Sequence, residues 1–175
     1  MGKTEYTLDD LPRFSPWPAR LLGIESWEQK QKNPTEITRE YEYEKWGALL
    51  KKVQKAKREV SVEEVNKWEL GQRTNSFCSI EDKFVLLSTT KARQHYLEIV
   101  ETALRPFLPA SALIELGAGY GNIILALAQR DLFANIPIMA GEYTSSGIEL
   151  LKRLAQAQNF DIEVAHCDFF SSEVV

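Results

Sequence analysis

One stretch constrains this chain more than any other. Ala112-Leu-Ile-Glu-Leu-Gly-Ala-Gly-Tyr-Gly-Asn-Ile-Ile-Leu-Ala-Leu-Ala128 passes from an apolar run, through alternating glycines, to a second apolar run. That order predicts a strand, a tight turn and a helix. Gly117, Gly119 and Gly121 have no Cβ, so they can take φ > 0 and let a ligand come close to the backbone. The free N–H groups of the following helix are expected to point into the same gap. Glu115 stands two residues before the first glycine, at the C-terminal end of the expected strand, where open α/β sheets bind their ligands. A carboxylate there suits a cationic or hydroxyl-rich ligand.

The alternation continues downstream, with strands expected at about 112–116, 136–142 and 162–168 and helices at about 121–131 and 145–158. Strands alternating with helices imply parallel βαβ crossovers of right-handed sense. Ile148, Leu150, Leu151 and Leu154 supply the buried side of the second helix. The expected fold class is therefore α/β, a parallel βαβαβ half-sheet preceded by a mainly α-helical N-terminal region.

The pattern Glu-x-Gly-x-Gly-x-Gly resembles the first motif of class I S-adenosylmethionine (SAM)-dependent methyltransferases. Glu142, in Met139-Ala-Gly-Glu-Tyr143, ends the next strand. In that family an acidic residue here grips the ribose hydroxyls, two carboxylate acceptors matching two hydroxyl donors. Asp168, in Val164-Ala-His-Cys-Asp-Phe169, ends the third strand, where the family reads the adenine amino group, and Phe169 could pack on the ring. The resemblance covers residues from about 90 to 175. It implies a Rossmann-like fold over 89–175, after an arm and helical region over 1–88, with SAM held by Glu115, Gly117, Gly119, Gly121, Glu142, Tyr143, Asp168 and Phe169. It also implies methyl transfer to a small-molecule acceptor, and the Gly-Tyr-Gly loop looks like that of some bacterial sugar O-methyltransferases.

The same resemblance implies a sheet of seven strands in the order 3-2-1-4-5-7-6, of which this sequence supplies the first three. The strand at 112–116 is then left with one open edge, and an apolar strand with unpaired backbone groups is an aggregation hazard. A second copy, a partner chain, the N-terminal helices or further residues are expected to cover it. No catalytic residue can be carried over, because the family's loop after its fourth strand has no counterpart here, as in a truncated enzyme. Two alternatives stand beside this reading. One is a non-catalytic SAM-binding or scaffold subunit completed by a partner. The other is an NAD-type domain, whose Gly-x-Gly-x-x-Gly fingerprint wants glycine where Asn122 stands.

Composition narrows the remaining classes. The net charge of −4 gives no general pull toward nucleic acid or anionic membrane. No apolar run approaches the ~20 residues that cross a bilayer, and the start lacks the apolar core of a signal peptide, so a cytoplasmic protein is expected. Cys78 and Cys167 are too few for a disulfide framework or zinc site and are expected to be buried thiols.

Upstream, the proline-rich opening is expected to be an extended arm whose Phe14, Trp17 and Trp27 lie in grooves of the body. Asn33-Pro-Thr-Glu36 reads as a capping box opening a helix to about Arg58, with Tyr43, Trp46, Leu50 and Val53 on one apolar face. The basic run Lys51–Arg58 reads as a solvated helix face. Ser61-Val-Glu-Glu64 is a second capping box, for a short helix ending before Gly71. From Gly71 to Thr90 a loop is expected, with a short strand or turn near Phe84–Leu87. Thr89 or Thr90 would then cap a helix presenting Tyr96, Val100, Leu104 and Phe107 on one face and ending or kinking at Pro106.

Overall fold

The structure, a computed structural model, describes residues 6–13, 19–20, 23–26, 33–71, 75–81 and 83–168. Phe14, Trp17, Trp27 and Phe169 lie outside the described residues. Two compact units are present, residues 1–31 with 72–99 and residues 32–71 with 100–175. Residues 32–71 belong with the glycine-loop region, because their helices pack on its helical layer.

That sheet-bearing unit opens with α1 (Pro34–Thr38). Asn33 Oδ1 accepts from the Glu36 N–H at 2.9 Å, and Glu36 Oε2 accepts from the Asn33 N–H at 3.1 Å, which forms the expected capping box. A π-helical turn, Arg39–Lys45, then leads into α2 (Trp46–Ala56). Within it the Trp46 N–H donates to the Tyr41 carbonyl five residues back. One extra residue in a turn rotates everything after it by about 100°. The expected apolar face is therefore broken. Trp46, Leu50 and Val53 pack on the core, but Tyr43 is 64% exposed. Gly47 permits this geometry, since a Cβ there would run into the Glu42 carbonyl.

The second capping box forms as expected at the start of α3 (Val62–Leu70), where Ser61 Oγ accepts from the Glu64 N–H at 3.3 Å. Arg58 grips both Glu64 oxygens at 2.8 and 2.6 Å, so the basic run ends in an ion pair. That hydrogen bonding holds the Glu64 carboxyl down to about 2.

In the other unit the stretch expected to be mostly loop is a hairpin, β1 (Asn75–Ile80) antiparallel to β2 (Lys83–Ser88). Tyr6 bridges to Phe84, and stacked Phe77 and Phe84 rings lie beside it. Its turn begins with Glu81 at φ +55° and lacks the Asn-Gly or Asp-Gly pair that marks a tight hairpin. At the start of the next helix, α4 (Thr89–Leu104), Ser88 Oγ accepts from the Lys91 N–H at 3.3 Å, one residue before the expected threonine caps. The helix gives way to a 3-10 turn at Arg105–Phe107, as Pro106 requires. Its predicted apolar face is not the buried one. Leu97 is buried, while Tyr96 and Phe107 are exposed.

Three parallel strands follow in the order β3-β4-β5: β3 (Leu113–Leu116), β4 (Ile138–Glu142) and β5 (Ile162–His166). The expected α/β class is correct. Between them lie α5 (Ile124–Ala128), shorter than expected, and α6 (Ser145–Ala157). Leu113, Ile138, Ala140, Ile162 and Val164 pack with Leu125, Leu150, Leu151 and Leu154 into the core. α2 packs on α6, which puts the N-terminal helices outside the first helical layer. On β3 the alternate residues Ile114 and Leu116 remain 55% and 60% exposed. Among the described residues no helix is long and apolar enough to cross a membrane. Both cysteines are free and half-buried, and burial pushes the Cys78 thiol up.

Candidate functional site

The glycine loop takes the conformation its sequence demands, with Gly117, Gly119 and Gly121 at φ +73°, +57° and +81°. The Gly117 and Ala118 N–H groups both donate to the Gly141 carbonyl, at 2.8 and 3.0 Å, tying the loop to β4. The three glycines do different work. A Cβ on Gly121 would stand 2.8 Å from Leu151 Cγ, so this glycine serves the packing of the loop on α6. Gly117 and Gly119 line a cavity of about 380 Å³ at the carboxyl ends of the strands.

The cavity has a floor and a roof. Glu142, Tyr143, Thr144 and Asp168 join the two glycines below, and Pro34, Ile37, Tyr41 and Trp46 close it from the N-terminal helices. Trp46 is the nearest neighbour of Gly119, its Cζ2 2.9 Å from where a Cβ would sit. Its ring lies edge-on to Tyr120, centroids 5.2 Å apart, and 6.0 Å from Tyr41. The roof is held in place by two contacts. Glu42 Oε1 accepts from the Ser146 N–H at 3.0 Å, and the Glu42 carbonyl accepts from Ser146 Oγ at 2.9 Å, so a residue of the π turn caps the first turn of α6. The Tyr120 hydroxyl donates to Asn66 Oδ1 at 2.6 Å, fastening the loop to α3.

Two glutamates accept from one loop donor and one donor of the helix that follows. Glu142, 5% exposed, accepts from the Gly119 N–H through Oε2 at 2.8 Å. Its Oε1 accepts from the Thr144 N–H at 3.0 Å and the Thr144 hydroxyl at 2.6 Å. Glu115 lies to the side of the cavity and accepts from the Ile124 N–H at 2.9 Å. Burial pushes the Glu115 carboxyl up to about 6, the Ile124 N–H pulling against that rise and the Glu142 charge adding to it. Two of the donors expected to face a ligand, the Gly119 and Ile124 N–H groups, thus face carboxylates.

Of the residues singled out from sequence, Gly117, Gly119, Glu142, Tyr143 and Asp168 meet around one cavity. Glu115 and Gly121 support it from outside, and Phe169 is not described. No Lys, Arg or His stands among the described lining residues, and two of them are carboxylates. Such a lining favours a cationic or neutral hydroxyl-bearing ligand over a phosphate. Among the described residues no cluster of His, Cys, Asp and Glu could hold a metal ion.

No family model matches the chain, and no curated protein matches it in sequence. Among solved structures it is similar to coclaurine N-methyltransferase bound to N-methylheliamine and SAH, at 16% identity and a TM-score of 0.48. The match covers 75% of this chain and 39% of that one. This chain thus spans well under half the length of the protein it matches.

The sequence reading missed the roof and Thr144. Trp46 reads as part of a packing face and Tyr41 is not singled out by the sequence; the π turn lies between them, and their rings stand 6.0 Å apart. Thr144 carried a signal that could have been used, because Thr-Ser-Ser before an apolar-periodic run is a helix start. Its Oγ accepts from the Gly147 N–H at 3.2 Å.

Proposed function

We propose that the sheet-bearing unit binds SAM or its demethylated product, S-adenosylhomocysteine, in the cavity over Gly117 and Gly119. On this reading the chain belongs to an enzyme that transfers a methyl group to a small-molecule acceptor, such as a sugar or another hydroxyl compound. The observation that carries it is the use of Glu142 and Glu115 to take the Gly119 N–H and the Ile124 N–H at the start of the next helix. A dinucleotide pyrophosphate needs those donors and is repelled by those charges, whereas a sulfonium cofactor needs neither donors nor a cation from the protein. The rings of Tyr41, Trp46 and Tyr143 suit an adenine face or a sulfonium, which aromatic rings attract.

Methyl transfer from a sulfonium asks for in-line positioning of the acceptor and, for a hydroxyl, a base. No residue is assigned that role here. A SAM-binding scaffold subunit remains the second reading, favoured by the edge of β3 that pairs with no other strand among the described residues, which a second copy or a partner chain would cover. Calorimetry tests the common part of both. S-Adenosylhomocysteine should bind and NAD should not; NAD binding, or silence with both, would overturn the proposal. Turnover of SAM against mixed hydroxylated acceptors separates the enzyme from the scaffold.

A further inference from the structure

An ionised carboxylate offers about four lone-pair sites. In Glu142 three are taken: one on Oε2 by the Gly119 N–H, and two on Oε1 by the N–H and hydroxyl of Thr144. The hydroxyl cannot turn away cheaply. Its proton goes to Glu142 at 2.6 Å while its oxygen accepts from the Gly147 N–H at 3.2 Å, so both ends are fixed by the start of α6. Nor can the carboxylate swing aside. It is 5% exposed, and a Cβ on Gly147 would lie 2.8 Å from Glu142 Cγ, which shows how closely α6 is pressed against it.

We infer that Glu142 accepts only one hydroxyl of a vicinal diol, through Oε2, and that Thr144 is the positioning residue that withholds Oε1 from the other. This rests on the reading that the cavity takes a ribosyl ligand. It departs from the bidentate grip that a lone glutamate at a strand end suggests, because here one oxygen is already spent within the protein. The second ribose hydroxyl then stays solvated or finds a partner other than Glu142. Recognition of the sugar becomes lopsided, with one hydroxyl contributing strongly and its neighbour weakly.

Calorimetry on the full chain decides it, using S-adenosylhomocysteine and its two analogues lacking the 2′- or the 3′-hydroxyl. One analogue should bind about tenfold more weakly than the parent, a loss of about 1.4 kcal/mol, and the other within about twofold. Thr144→Val frees a lone pair on Oε1 and should bring the second analogue's loss toward the first, narrowing the ratio between them. Thr144→Ser keeps the hydroxyl and should restore the lopsided pattern. A merely structural role for Thr144 would change all three affinities together and leave that ratio alone. Equal losses of fivefold or more for both analogues in the unsubstituted protein would overturn the inference while leaving the cofactor reading intact. No loss with either analogue would overturn it too, and failure of the parent to bind would remove both. The unsubstituted comparison stands even if Thr144→Val does not fold.

Discussion

The two faces of the three-stranded sheet are built from similar residues and meet different fates. Leu113, Ile138, Ala140, Ile162 and Val164 face α5 and α6 and belong to the core. On the other face Ile114 and Leu116 stand more than half exposed, beside Met139 and Ala165, which share their register. Strands of a parallel sheet are apolar on both sides because crossover helices normally cover both. Here the described helices α5 and α6 both serve the same face. The contrast shows that an apolar strand pattern records where a strand is meant to be buried, while the helices present decide which half of that burial is realised.

The contrast is sharpest in stability. Leu150, fully buried in α6, should cost about 2–5 kcal/mol when cut to Ala, whereas Leu116→Ala should stay within about 0.5 kcal/mol. Urea unfolding of the two variants measures this, and equal costs would mean that the second face is covered in solution. Gly121→Ala should come next. It adds a Cβ at φ +81° and 2.8 Å from Leu151, for a loss of about 1–3 kcal/mol on the covered face. Glu42→Ala removes the carboxylate that caps Ser146 and should cost about 1 kcal/mol. If it also weakens S-adenosylhomocysteine binding, the roof and α6 act together on the cavity.

Glu115 probes the covered face through pH. Its carboxyl sits near 6 in the folded protein against an ordinary 4.5, so between those values the native state binds more protons than the unfolded chain. Stability should therefore fall as pH rises from about 4.5 to about 6. Glu115→Gln keeps an acceptor for the Ile124 N–H and should flatten that part of the profile; an unchanged profile would remove Glu115 as its source. The smallest effect on stability belongs to Leu116→Lys, on the exposed face of β3, whose far edge pairs with no other strand among the described residues. It should leave the unfolding midpoint nearly unmoved and yet reduce self-association seen by light scattering, since a charge on an edge strand blocks pairing. If the unsubstituted chain is already monomeric at high concentration, the exposed face and edge need no partner.

Much of the βαβαβ unit was legible in the sequence because its determinants are local. Alternating glycines permit the positive φ found at 117, 119 and 121, and the Asn33 and Ser61 capping boxes each involve residues three apart. Periodicity marked Leu150, Leu151 and Leu154 as buried. The gathering of Gly117, Gly119, Glu142 and Asp168 followed from all of them sitting at strand ends. The hairpin escaped notice because its turn carries no glycine or asparagine, and its first strand holds few apolar residues.

Tertiary structure alone decided the rest, where the deciding partner lies far away in sequence. Within the π turn the Glu42 carbonyl accepts from the Ser146 hydroxyl, 104 positions on, and in that turn Tyr43 is exposed while Tyr41 lines the cavity. Whether Glu115 faces a ligand or a backbone N–H depends on how the loop closes above it. Glu142's free capacity depends on the rotamer of Thr144, set by the first turn of α6. Residue types name the groups that can bond; only the packed chain settles which of them have already done so.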